Sequence, residues 1–199
     1  APGNRFGFFP AVSGAWVLSK EDFLKDNETI DFLKLTGSYG ISGNDNMGGG
    51  SRFTFKQYYI GSGVPYYLGN GFTNTIWPKK QGSVANPEIT WEKSHKFNLA
   101  LAGRLMKQLD FNVEYFNDYR TDIFVNPSGY ISALVGAEYY NQNAGIARNQ
   151  GFEAELTYHN KTGQLGYFAS GRFSYAKNEV IDMKETPKPE DYLYLKGNS

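Results

Sequence analysis

The chain has 199 residues, 20 acidic against 20 basic side chains, 15 Tyr, 15 Phe, 23 Gly and no Cys. That length suits one ordinary domain. The charge balance leaves no basic stripe to neutralise phosphates, which excludes nucleic-acid partners. The missing Cys excludes disulfide scaffolds, thiolate metal sites and cysteine nucleophiles. Mean hydropathy is −0.51 despite the many rings, and a globular enzyme of this size carries more Leu, Ile and Val. A sheet with one apolar and one wet face has this composition. No apolar run approaches the roughly 18–20 residues of a membrane-spanning helix; a barrel stays open, because its strands alternate and average out.

In chain order, 6–18 reads as a strand, with Val12, Trp16 and Leu18 against Ala11, Ser13 and Ala15. Ser19 with Asp22 resembles a capping box, so a short helical turn is expected over 20–25. The stretch 31–43 alternates Leu33, Leu35, Gly37, Tyr39 and Ile41 with Lys34, Thr36 and Ser38. A small strand is expected over 53–60. Over 88–106, Phe97, Leu99, Leu101 and Leu105 face away from Glu92, Lys96 and Arg104. Over 109–123, Leu109, Phe111, Val113 and Tyr115 oppose Asp110, Asn112 and Glu114, with Phe116 out of pattern. Phe152, Ala154, Leu156 and Tyr158 oppose Glu153, Glu155 and His159 over 150–160, and Asn160-Lys161-Thr162-Gly163 supplies a turn. Leu165, Tyr167, Phe173 and Tyr175 then alternate with Ser170, Arg172 and Ser174 over 164–178.

The links sort by length: short at 19–31, 106–109 and 160–164, long at 44–87 and 124–148. Strands run alternately up and down, so short links share one end and long links the other. Outer-membrane barrels have that asymmetry, with short periplasmic turns and long extracellular loops. The fold class is therefore all-β, an antiparallel up-and-down meander. The alternative is a soluble carbohydrate-binding β-sandwich, whose inner face also alternates. Strands this long, and Tyr39, Tyr115, Tyr158 and Tyr175 near the ends of apolar tracts, favour the barrel.

Four stretches carry a family resemblance. Arg5-Phe6-Gly7-Phe8-Phe9-Pro10-Ala11-Val12-Ser13-Gly14-Ala15-Trp16 resembles a SusC/RagA strand signature. Leu33-Lys34-Leu35-Thr36-Gly37-Ser38-Tyr39-Gly40, followed by Gly43-Asn44, resembles the next, with Thr36 where the family often carries Arg. Asn86-Pro87-Glu88-Ile89-Thr90-Trp91-Glu92-Lys93-Ser94 resembles a strand entry, and Asn143-Ala144-Gly145 with Arg148-Asn149-Gln150-Gly151-Phe152-Glu153 resembles a later strand. They occur in the family's order and cover nearly the whole chain. The resemblance implies a bacterial outer-membrane importer of about 22 strands around a plug. It further implies energy drawn from the TonB complex, a SusD-like surface lipoprotein as partner, contact with outer-membrane lipid, and a glycan or peptide substrate. The chain carries no signal peptide and no plug region, and six main strands do not close such a barrel. It is expected to be a fragment from the C-terminal half of the barrel.

Under that reading Leu33, Leu35, Phe97, Leu99, Leu101, Leu105, Leu109, Phe111, Val113, Tyr115, Leu156, Tyr158, Leu165, Tyr167 and Phe173 face lipid. Glu92, Lys96, Arg104, Glu114, Glu153, Glu155 and Arg172 face the lumen. Paired carboxylates also suit glycoside hydrolysis. Here both signs interleave along every strand, which reads as a solvated wall, so no enzyme activity, catalytic residue or cofactor is assigned. His95 and His159, the two histidines, make a poor metal site without Cys. Gly48-Gly49-Gly50 lacks the Lys and Ser/Thr of a phosphate loop and reads as a flexible tip. Tyr58, Tyr59, Tyr66, Tyr67, Trp77, Tyr139, Tyr140 and Asn141 lie in the long links. Their exposed rings are the candidates for substrate or partner contact, against a bland role in loop packing.

Overall fold

The structure, a computed structural model, describes residues 2–46, 53–127 and 131–198. Its strands are β1 (Ala11–Val17), β2 (Ile30–Asn44), β3 (Tyr59–Gly61), β4 (Tyr66–Leu68), β5 (Asn74–Ile76), β6 (Lys79–Gln81), β7 (Glu92–Leu105), β8 (Leu109–Val125), β9 (Gln142–Thr162) and β10 (Leu165–Asp182). Six of them form one antiparallel sheet in the order β1-β2-β7-β8-β9-β10. Each main strand pairs with the next one along the chain. The two small pairs, β3 with β6 and β4 with β5, are nested inside the β2–β7 connection.

Several boundaries differ from those read in the sequence, each for a local reason. β1 starts at Ala11 and not at 6, because Pro10 has no N–H to give a ladder; its carbonyl accepts from Ile41 N–H at 2.9 Å. Ser19 does not stand at an N-cap: it lies inside the turn Leu18–Lys20, whose capping position is Val17. A single helical turn does follow, with Leu24 and Lys25 N–H both reaching Glu21 O at 2.9 Å. The 53–60 segment is not one strand. Lys56 N–H closes a turn onto Phe53 O at 2.9 Å, and only the β3 residues pair. β9 begins at Gln142, so the connection before it shrinks to 126–141, and β10 runs on to Asp182. The last hairpin turns through Gly163-Gln164, not 160–163, with Thr162 paired to Leu165 and Gly163 at φ +63°. That left-handed first position is the one a type II′ turn gives to glycine.

A sandwich needs a second sheet over the apolar face, and here one sheet holds all six long strands. Among the described residues the buried apolar side chains are Ile89, Val125 and Pro127, all at the loop end. The accessible surface is 14236 Å², where a compact globule of this mass exposes roughly 9,400 Å². Both faces of the sheet are bare. The Gly48-Gly49-Gly50 run lies outside the described residues.

Candidate functional site

Register collects the alternating side chains into two faces. Leu35 pairs with Leu101, Leu101 with Val113, Val113 with Ala154 and Ala154 with Phe173, so one apolar row crosses five strands. On that face stand Leu33, Phe97, Leu99, Leu105, Leu109, Phe111, Tyr115, Leu156, Tyr158, Leu165 and Tyr167. Rings edge it on the side of the long connections: Phe97 lies 6.4 Å from Tyr115, and Phe152 lies 5.5 Å from Phe173 and 5.8 Å from Tyr175. At the short-turn end Tyr158 and Tyr167 are 6.4 Å apart.

The opposite face carries the row Lys34, Ala102, Asn112, Glu155, Arg172 and, beside it, Thr36, Ala100, Glu114, Glu153, Ser174. Glu92, Lys96 and Arg104 share it. Arg172 Nη2 donates to Glu155 at 3.0 Å and Ser174 Oγ to Glu153 at 3.2 Å. Arg104 grips Asp110 through both oxygens, at 2.6 and 3.2 Å, and His159 Nδ1 stands 3.5 Å from the same carboxylate. Ser94 Oγ donates to Asp118. Each of these carboxylates already has a donor, and exposed pairs of this kind contribute little stability. The face is a charge-balanced, wettable wall. His95 is on the other face, where its Nδ1 meets the Tyr39 hydroxyl at 2.9 Å, so the two histidines cannot share a ligand.

The motif residues converge at the loop end, a role that strand alternation does not announce. The Phe9 ring lies over Gly43, where a Cβ would fall 2.0 Å from a ring carbon. Phe9 also meets Trp91 edge-on at 5.5 Å, and Trp91 Nε1 donates to Asn4 O at 3.2 Å. Trp91 therefore stands outside β7, although its parity in the sequence placed it in that strand. Glu92 accepts from Asn44 Nδ2 at 2.9 Å and from Phe124 N–H at 2.9 Å, tying three strands together. Asn143 Oδ1 accepts from Thr90 N–H at 3.0 Å, while its Nδ2 donates to Thr90 O at 3.0 Å and Asp122 O at 2.8 Å. Asp122 sits in a bulge of β8 at φ +58°. Asn86 Nδ2 bonds Asn141 O at 3.1 Å, and Val84 bridges Tyr139, so the two long connections are joined. The signal in the sequence was polar residues recurring at strand ends within the motifs.

The ring candidates are dispersed over the loop structures. Tyr58 precedes β3 and Tyr59 is in it, Tyr66 and Tyr67 are in β4, and Trp77 lies between β5 and β6, all exposed. Tyr139 and Tyr140 are half-buried and Asn141 is exposed, just before β9.

An up-and-down sheet with one apolar and one wettable face, and connections sorted by end, defines a segment of an outer-membrane-type β-barrel wall. The family model described as TonB dependent receptor-like, beta-barrel matches residues 3–198, and the chain belongs to that family. It is 30% identical over 163 residues to the TonB-dependent receptor SusC of Bacteroides thetaiotaomicron, covering 77% of this chain and 15% of that protein. With TonB-dependent receptor P26 of Formosa agariphila it shares 28% over 187 residues, covering 90% of this chain and 17% of the relative. The RagAB peptide importer in its open-open state superposes with a TM-score of 0.71 at 21% identity, over 90% of this chain and 18% of that one. The chain thus spans less than a fifth of each of these relatives.

Proposed function

We propose that this chain is barrel wall and surface loops of a longer TonB-dependent importer in the bacterial outer membrane. The apolar face meets lipid, the charged face lines the lumen, and the long connections emerge outside the cell. The observation that carries this reading is the two-faced, bare sheet whose connections sort by end. Transport, without bond chemistry, is the activity that such a wall serves. Energy comes from TonB through a plug contributed by other parts of the receptor. A SusD-like surface lipoprotein covers the loops, as the likeness to SusC and to the RagAB importer supports, and the cargo is a glycan or a peptide.

Charge placement tests the faces. In the full-length receptor, Leu101→Lys and Val113→Lys put an ammonium on the lipid side, which costs about 2–4 kcal/mol near the bilayer midplane. Both are expected to deplete the outer-membrane fraction. Asn112→Lys and Ala100→Lys face water and are expected to assemble normally. Equal assembly of all four variants refutes the assignment of faces. Co-isolation of a surface lipoprotein with the detergent-extracted receptor tests the partner.

A further inference from the structure

We infer that the β2–β7 connection holds a binding site for an anionic saccharide, a uronate or sulfated chain, centred on Tyr59, Lys79 and Gln81; this rests on the importer reading above. Residues 46–87 carry Arg52, Lys56, Lys79 and Lys80 and no acidic residue; the connection's two carboxylates, Asp45 and Glu88, stand just outside that stretch, one at each end. The same segment holds eight rings, from Phe53 to Trp77. Tyr59, Trp77 and Tyr66 are exposed by 67, 66 and 64%. A stretch of single-signed charge interleaved with bare rings suits a ligand that is anionic and has flat faces to stack.

The β3–β6 ladder gives that chemistry a geometry. Tyr59 pairs with Gln81 and Gly61 with Lys79, so all four project from one face, while Ile60 and Lys80 project from the other. Gly61 leaves a notch between the ring and the ammonium: a Cβ there would meet nothing within 4 Å. The hairpin base is held by Gln57, whose Nε2 donates to Tyr58 O at 3.0 Å and Ser83 O at 3.1 Å. Gln57 Oε1 accepts from Gln81 Nε2 at 3.2 Å and Ala85 N–H at 3.2 Å. That fixes the Gln81 amide through its nitrogen, and its oxygen, which accepts no bond among the described residues, is turned to a sugar hydroxyl. Among the described residues neither Lys79 nor Lys80 forms an ion pair, so the cations are free for a ligand. One sugar unit stacks its C–H face on Tyr59, places its carboxylate or sulfate at Lys79 and hydrogen-bonds Gln81. An acidic peptide offers the charge but no ring face for Tyr59.

The test is affinity electrophoresis of the detergent-extracted full-length receptor through gels holding polygalacturonate, neutral dextran or poly-glutamate. Retardation by polygalacturonate alone is expected, with about a tenfold loss of affinity in Lys79→Gln and in 0.5 M salt. Lys79→Arg should retain binding, and Tyr59→Ala should lose it without a change in unfolding midpoint. Equal retardation by dextran, or an unchanged Lys79→Gln, overturns the site. Poly-glutamate binding as tight as polygalacturonate overturns it in favour of an acidic peptide. A receptor that assembles in the outer membrane yet ignores charge defeats this inference alone; one that never reaches that membrane defeats the importer reading.

Discussion

Gly151 lies where β9 passes between β8 and β10, with Phe116 and Ala176 as its register partners. A Cβ there would stand 2.1 Å from Tyr175 O, 2.8 Å from the Phe116 ring and 2.9 Å from Ala176 Cα. A carbon and a carbonyl oxygen ordinarily approach to about 3.3 Å, so in Gly151→Ala the Tyr175 carbonyl must retreat by more than an ångström. That stretches the ladder beyond hydrogen-bonding distance. Overpacking costs roughly 1–3 kcal/mol and a lost bond roughly 0.5–1.5 kcal/mol, against a gain of about 0.5–1 kcal/mol for replacing a strand glycine. The net expectation is a destabilisation of about 2 kcal/mol. Gly171, in β10, is the control: a Cβ there meets nothing within 4 Å, so Gly171→Ala should gain about 0.5–1 kcal/mol. The assay is the guanidinium midpoint of the detergent-extracted receptor by tryptophan fluorescence. A Gly151→Ala midpoint at or above wild type, or a Gly171→Ala midpoint that falls as far, refutes the reasoning.

Three further outcomes are expected. Asn143→Ala removes the bonds to Thr90 and Asp122, a local cost of about 2 kcal/mol, seen as faster protease nicking within 45–91 and 126–141 at an unchanged global midpoint. Lys107 sits at φ +57° beside Met106 at +51°, so Lys107→Gly should raise the unfolding midpoint, worth about 1 kcal/mol, by relieving a left-handed residue. The Asp182 carboxyl is held below the ordinary aspartate range by the Lys184 ammonium, with the Lys184 N–H adding a second bond. The turn it makes is therefore fully stabilised above the unfolded aspartate value and lost as pH falls through the lower folded one. Amide exchange at Lys184 should accelerate only over that acidic window, and Asp182→Asn should abolish the dependence.

Much of the fold was legible along the chain, because alternation is a local property. Strand geometry sends successive side chains to opposite sides. Phe97 to Leu105 and Leu109 to Tyr115 therefore displayed their two faces, and the link lengths displayed the up-and-down order. The motifs from Arg5 to Glu153 carried the family. What alternation does not contain is contact between strands far apart in sequence. The Phe9 ring over Gly43, the Tyr175 carbonyl against Gly151, and Glu92 holding both Asn44 and Phe124 N–H all depend on register. So does the early start of β9, where the bulge at Asp122 and the reach of Asn143 extend pairing past the regular ladder. The nested hairpins that set Tyr59 beside Lys79 arise from backbone pairing within a loop whose apolar pattern has no period. Sequence by itself determined which side chains share a face, since a period of two is written into each strand. Tertiary structure decided which of them touch, since glycines and rim amides earn their places only from the neighbouring strand.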